Sequence, residues 1–215
     1  MPESLTAPAR ETPRLLLAGF GPYAQAPDNP AGRVVEQLAA EGWTPPDAIV
    51  RGQVIPVSWA SAPKAAIEAA RAIDAHAVLL LATSTQASDF RIEMRAQNRA
   101  AKRRADALGE RWKEDRILPT GPGVVRTTAP VAEMVQAVKA AGFAVHASSE
   151  SGDYLGNFVL YRLLAEFGAE GQARPVGCFT IPVRTEIDTA VRAAKAAVQA
   201  FASSLSVRRS ELLSA

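Results

Sequence analysis

The chain is 215 residues long, carries a formal net charge of +2, and is 48% hydrophobic with 21% charged residues. These figures suit one soluble globular domain with a sizeable core, and so small a net charge is no argument for a nucleic-acid partner. The single cysteine, Cys178, excludes an internal disulfide and fits a reducing cytoplasm; with only His76 and His146 beside it, no structural zinc site is expected.

Residues 1–13 mix Pro, Glu, Ser and Thr without periodicity and are expected to form a flexible tail. They lack the long apolar run of a secretory signal or membrane anchor. Leu15-Leu16-Leu17-Ala18 has the pattern of a short buried strand, ended by Gly19. Asn29 caps and Pro30 opens a helix with Val34, Val35 and Leu38 on its apolar side and Gly42 as its stop. A second strand is expected over residues 50–57. Ser61 then caps a helix carrying Ile67, Ala70 and Ile73 on one side. Ala77-Val78-Leu79-Leu80-Leu81 is nearly pure apolar, as a strand covered on both faces should be.

Residues 95–116 hold eight Lys/Arg against four Asp/Glu. Arg99/Arg103 and Glu110/Glu114 stand at helical spacing, with Trp112 as a packing anchor, so a solvated helix is expected. A phosphate-binding stripe is disfavoured, because Glu110, Glu114 and Asp115 would repel a nucleic-acid backbone.

Gly121-Pro122-Gly123 marks a loop, and Pro130 starts a helix through Val131, Met134, Val135 and Val138 that ends at Gly142. Residues 143–147 form the fourth expected strand. A helix from Leu155 to Phe167 follows, stopped by Gly168. Residues 176–181 form the fifth strand. Thr185 and Asp188 make a capping-box-like start for a final helix bearing Ile187, Val191, Val198 and Phe201. The domain is placed at residues 14–203, with a C-terminal tail over 204–215.

Strand–helix alternation of this kind predicts a single-domain α/β fold, a mostly parallel twisted sheet with helices on both faces. Ligands in such sheets sit at the carboxyl ends of the strands, which places 19–23, 82–93, 148–157 and 180–185 around one crevice. The run 148–157 is a strand exit leading into an apolar helix, where a sheet enzyme can set a nucleophile in the helix dipole. The residue at that turn is Gly156, which has no side chain to attack with.

Ala18-Gly19-Phe20-Gly21-Pro22-Tyr23 resembles the T-G-F-x-P-F-G-G opening of the pyroglutamyl (pyrrolidone-carboxyl) peptidases, cytoplasmic cysteine hydrolases that remove an N-terminal pyroglutamate. Asn29-Pro30 falls where that family has N-P-S, and Ile55-Pro56-Val57 is similar to its L-P-V. Glu93-Met94-Arg95-Ala96-Gln97-Asn98 follows its E-x-x-A-x-N, and the stretch from Gly121-Pro122-Gly123 to Thr127-Thr128-Ala129-Pro130-Val131 is close to G-P-A-A-Y-F-S-T-L-P-V. The similarity runs from about Leu15 to about Val183.

The departures fall on the chemistry. The family's S-N-T-A-G-T-F-V-C-N-H stands opposite 148–158 here, which puts its nucleophilic cysteine on Gly156. Its catalytic histidine, in I-H-V-P, falls on Thr180, and its glycine-rich G-Q-A-G-G-R becomes Ala82-Thr83-Ser84-Thr85-Gln86-Ala87. Of the Cys-His-Glu set the resemblance implies, only Glu93 remains. Glu93 is then either a leftover acid in the crevice or a structural carboxylate, at a helix start or partnered by Arg91 or Arg95.

The resemblance implies ligand contacts from Phe20, Tyr23, Thr83, Tyr154 and Leu155, although Phe20, Tyr23, Tyr154 and Leu155 equally suit core packing. The free N–H groups near Gly156 suit a carboxylate or carbonyl oxygen. Cys178 is expected to be inert and buried, deeper than the crevice, and His76 to lie at the opposite end of the sheet. Three functions follow as expectations. One is a non-catalytic relative binding a small acyl or anionic ligand or serving as an assembly or regulatory subunit, without cofactor or metal. Another is a hydrolase with a relocated nucleophile from Ser148, Ser151 or Thr180, with His146 a conceivable partner for either serine. The third is a nucleic-acid or protein-binding module acting through 95–116. The family's habit of assembly adds a homo-oligomer; no membrane association is expected.

Overall fold

A computed structural model describes residues 11–168 and 174–214. Most of the expected N-terminal tail, residues 1–10, lies outside the described residues. In chain order the elements are β1 (Arg14–Phe20), α1 (Pro30–Ala40), β2 (Ile49–Ile55), α2 (Ala62–Ala72), β3 (Ala77–Ser84), β4 (Phe90–Glu93) and β5 (Arg95–Gln97). They continue with β6 (Val124–Arg126), α3 (Val131–Ala140), β7 (Val145–Ser148), α4 (Leu155–Phe167), β8 (Val176–Pro182) and α5 (Ile187–Ser214).

Six strands form one sheet in the order β2-β1-β3-β8-β4-β7. β2, β1, β3 and β8 are mutually parallel; β4 runs antiparallel to β8, and β7 runs parallel to β4. The α/β expectation holds, with the sheet mixed at the β4–β7 edge. β5 and β6 form a separate antiparallel ribbon.

Side chains alternate across the strands, and each face meets its own layer of helices. Leu15, Leu17, Leu79, Leu81, Phe179 and Ile181 pack with α1, α3 and α5. Leu16, Ala18, Leu80 and Cys178 pack with α2 and α4. Burial on both sides explains why β1, β3 and β8 read as nearly continuous apolar runs. Helix α1 lies so close to β1 that a Cβ on Gly19 would come 2.3 Å from the Ala31 carbonyl oxygen. Asn29 fixes the entry to α1: its Oδ1 accepts from the Ala31 N–H at 3.2 Å and its Nδ2 donates to the Gly21 carbonyl at 2.9 Å. Ser61 precedes α2 but makes no side-chain capping bond.

Three expectations are corrected. Residues 95–116 do not form a helix; β5 is followed by turns and loop as far as β6. Between Arg99 and Arg116 the only large apolar side chains are Leu108 and Trp112, too few to give a helix a buried stripe. Side chains instead serve the loop's backbone. Asn98 Oδ1 accepts from the Ile117 and Leu118 N–H groups, and Asp106 accepts from the N–H groups of Trp59, Leu108 and Glu110.

The second correction concerns β4, β5 and β6, which are three or four residues long and too short to stand out as periodic runs. The third concerns the C-terminus, where α5 continues to Ser214 in place of the tail expected from 204. Leu205, 4% exposed, extends the buried row of Val198 and Phe201. No helix among the described residues is long and apolar enough to cross a membrane.

Candidate functional site

Loop 149–154 turns the chain from β7 into α4. Gly152 has φ +74°, in the left-handed region where a side chain would be strained, and Tyr154 is the extended cap residue of the helix. Gly156 is therefore the second residue of α4. A Cβ built there would meet the Ala82 Cβ of β3 at 3.2 Å, a tight but not prohibitive contact. Asn157, 1% exposed, locks this turn in place. Its Oδ1 accepts from the Gln97 N–H at 2.7 Å and the Ser151 hydroxyl at 2.8 Å, while its Nδ2 donates to the carbonyls of Gln97 and Arg99.

Below Gly156, one sheet face carries a polar group. Thr180 of β8 donates its hydroxyl to Glu93 Oε1 of β4 at 2.8 Å, and the Cys178 sulfur lies 4.0 Å from the same hydroxyl. Glu93 is 2% exposed. Burial raises its carboxyl above the ordinary range, opposed by the hydroxyls of Thr180 and Ser148 and by the charges of Arg91 and His146. No donor stands in hydrogen-bond geometry to Glu93 Oε2, and the Arg91 Nε is likewise buried without a partner.

These residues line a cavity of about 350 Å³. Ala82, Cys178, Thr180, Arg91, Glu93 and Gly156 contribute to it, with residues 83–86 on one side and 150–154 on another. Arg104 and Tyr23 complete it, the Arg104 guanidinium standing 3.8 Å from the Tyr154 ring centroid. The Tyr154 hydroxyl donates to the Ala105 carbonyl at 2.8 Å, which ties the long loop after β5 to the cavity.

Phe20, Tyr23, Thr83, Tyr154 and Leu155 come together, with Gly156, around a smaller adjoining space of about 30 Å³, room for little more than a water. Phe20 and Leu155 are also core residues, 5% and 2% exposed. Tyr23, Thr83 and Tyr154 reach the larger cavity as well.

Two placements differ from expectation. Cys178 lines the cavity rather than lying away from it, on the same face of β8 as Thr180, whose hydroxyl stands 4.0 Å from its sulfur. It is nonetheless 1% exposed, and burial together with the Glu93 charge pushes its thiol well above the usual range. Glu93 neither starts a helix nor makes an ion pair with Arg91 or Arg95: it ends β4, and Arg95 Nε donates to the Ser149 carbonyl at 3.1 Å.

Neither imidazole lines the cavity. His146 is exposed on edge strand β7, and His76 accepts from the Arg14 N–H at the opposite end of the sheet. Ser148 Oγ accepts from the Glu150 N–H at 3.0 Å. Among the described residues no group of three or more His, Cys, Asp or Glu is placed to hold a metal ion.

The sequence suggests Arg91 only as a partner for Glu93, not as a cavity residue, and does not single out Arg104. The signal for Arg91 was present: Phe90-Arg91-Ile92-Glu93 alternates apolar and polar, which sets Arg91 and Glu93 on one face of a strand. Arg104 sits in an irregular loop, where no periodicity assigns a direction.

Comparison with known proteins agrees with this architecture. The family model described as pyroglutamyl peptidase matches residues 13–207. A pyrrolidone-carboxylate peptidase of Pseudomonas fluorescens is 35% identical over 153 residues, 69% of this chain and 70% of its own. One from Mycobacterium marinum is 30% identical over 172 residues, 79% of this chain and 77% of its own. A mutant pyrrolidone carboxyl peptidase from Pyrococcus furiosus superposes with a TM-score of 0.82 at 22% identity, covering 89% of this chain and 99% of that one. The pyrrolidone carboxyl peptidase of Thermococcus litoralis likewise gives a TM-score of 0.82 at 22% identity, covering 90% and 94%.

Proposed function

Since the chain belongs to the pyroglutamyl peptidase family, we propose that it is a member without cysteine-peptidase activity, which holds a small acyl or anionic ligand in its cleft. The observation that carries this reading is the composition of the cavity: Gly156 at the helix turn, Thr180 against Glu93, and no imidazole. Cysteine acyl transfer needs a thiolate to attack and an imidazole to carry the proton. Gly156 offers no nucleophile, and the hydroxyl of Thr180 is no base near neutral pH. Loss of a triad nucleophile costs on the order of 10⁶-fold in turnover. The chain's single cysteine, Cys178, is held protonated by burial, which disfavours it as a substitute. An assembly or regulatory role as a homo-oligomer in the cytoplasm is compatible with the same reading. The test is incubation of the purified protein with a chromogenic pyroglutamyl amide: no turnover above buffer is expected, and peptidase-like turnover refutes the proposal.

A second reading has one observation in its favour. The Thr180 hydroxyl sits 2.8 Å from a carboxyl whose proton affinity is raised, the arrangement of a hydroxyl nucleophile beside a base. A broad acylating probe that labels the protein, with the label lost in Thr180→Val, would establish it; clean absence of labelling removes it. The nucleic-acid reading is weakened, because several cations of 95–116 are already engaged. Lys102 pairs with Asp115 at 2.8 Å, Arg104 covers Tyr154, and Arg95 and Arg116 bond backbone carbonyls. Unchanged gel mobility at low salt would remove it.

A further inference from the structure

Strand β4 alternates, so Phe90 and Ile92 join the core with α3 and α5 while Arg91 and Glu93 line the cavity. Each brings an unanswered group. Glu93 Oε2 is a buried acceptor to which no donor, the nearby Ser148 hydroxyl included, stands in hydrogen-bond geometry, and Arg91 Nε is a buried donor with no acceptor. No direct ion pair among the described residues joins them. Buried polar atoms in folded proteins are nearly always satisfied, so a matched donor and acceptor left open on one wall of a cavity point to a ligand.

The charges narrow its chemistry. Arg91 and Arg104 line the cavity together with Glu93, Glu150 and Asp153. A bare cation would face two guanidinium groups, and a bare anion three carboxyl groups. A molecule carrying both signs meets neither objection. We propose that the cavity is a binding site for a small zwitterion, a free α-amino acid, whose ammonium donates to Glu93 Oε2 and whose carboxylate accepts from Arg91 Nε. The inference deepens the non-catalytic reading, giving the anionic ligand of that reading a cationic end as well, and rests on it, because it uses Glu93 to hold a ligand rather than to move a proton. Same-face neighbours on a strand stand about 7 Å apart, and side chains of this length converge on one small molecule. A space of about 350 Å³ falls at the low end of small-ligand sites.

The experiment titrates the full chain, by thermal shift and calorimetry, with the standard L-amino acids. Matched amines lacking the carboxylate and matched N-acetyl amino acids lacking the ammonium are run alongside. At least one amino acid is expected to raise the melting temperature, with each half-ligand binding roughly tenfold or more weakly. Glu93→Gln is expected to weaken the amino acid by roughly tenfold and leave the N-acetyl compound unchanged. Arg91→Met is expected to do the reverse, weakening the amino acid and not the amine. Circular dichroism checks that both variants fold, and if one does not, the other decides. Half-ligands binding as tightly as the amino acid overturn the proposal, as does the absence of any stabilisation at high millimolar concentration. The pyroglutamyl amide assay run in parallel separates the two claims. No binding with no turnover sinks the ligand assignment alone, whereas turnover sinks the reading beneath it and the assignment together.

Discussion

Replacing Thr180 by valine removes a hydroxyl while nearly conserving volume, so it deletes the 2.8 Å bond to Glu93, and beside it only the weak 4.0 Å contact with the Cys178 sulfur, without opening a cavity. While Glu93 is protonated, the lost bond is one between neutral groups and costs about 0.5–1.5 kcal/mol. Once Glu93 is ionised, a buried carboxylate loses a donor, and the cost rises to about 1.5–3 kcal/mol. The sign follows from linkage. Glu93 has a raised folded-state pKa, so the folded protein binds more protons than the unfolded chain between the two pKa values. Its contribution to stability therefore falls as pH rises through that window. Removing Thr180 raises the folded pKa further, which steepens the fall and extends it to higher pH, by about 1.4 kcal/mol for each unit of added shift. Urea denaturation of both proteins at pH 5 and pH 8 reads the difference directly. The valine variant should lose more stability at pH 8 than at pH 5. An equal loss at both values would mean that Glu93 does not ionise in that range, and a loss near zero would mean that the bond contributes nothing net.

Other expectations follow from the same geometry. Gly156→Cys and Ala82→Gly should couple: the built Cβ stands 3.2 Å from Ala82, so the double variant should be destabilised by about 0.5–1 kcal/mol less than the sum of the single changes, and strict additivity would show that the contact relaxes freely. In the native protein Cys178 should resist Ellman's reagent and react only on unfolding, since its thiol is buried and held protonated; rapid native labelling would contradict that. Asp106→Ala should cost about 2–3 kcal/mol and expose the loop after β5 to protease, because three backbone N–H groups lose their acceptor; unchanged proteolysis would show that the loop is held elsewhere.

What the residue order reveals here depends on which interaction fixes each segment. β1, β3 and β8 are apolar on both faces, and Asn29 and Pro30 mark a helix start by local chemistry, so these were legible before any coordinates. The loop between β5 and β6 was not. Its shape is set by Asn98 and Asp106 bonding to backbone far along the chain, and such partners leave no periodic trace. The cavity shows the same division. Gly156, Thr180 and Glu93 stood out through motif order, and the structure gathers them around one space. The position of Cys178 did not, because on a strand buried at every residue it reads as plain core.

The side chain of Asn157 has a consequence for the residue before it. All four of its hydrogen bonds go to groups other than Gly156, so the opening turn of α4 is pinned to the 97–99 segment and to Ser151 independently of what stands at position 156. A reactive group at that spot is thus cargo rather than a structural member. A chain with this framework can go without one, and the surrounding architecture will still assemble in the same shape.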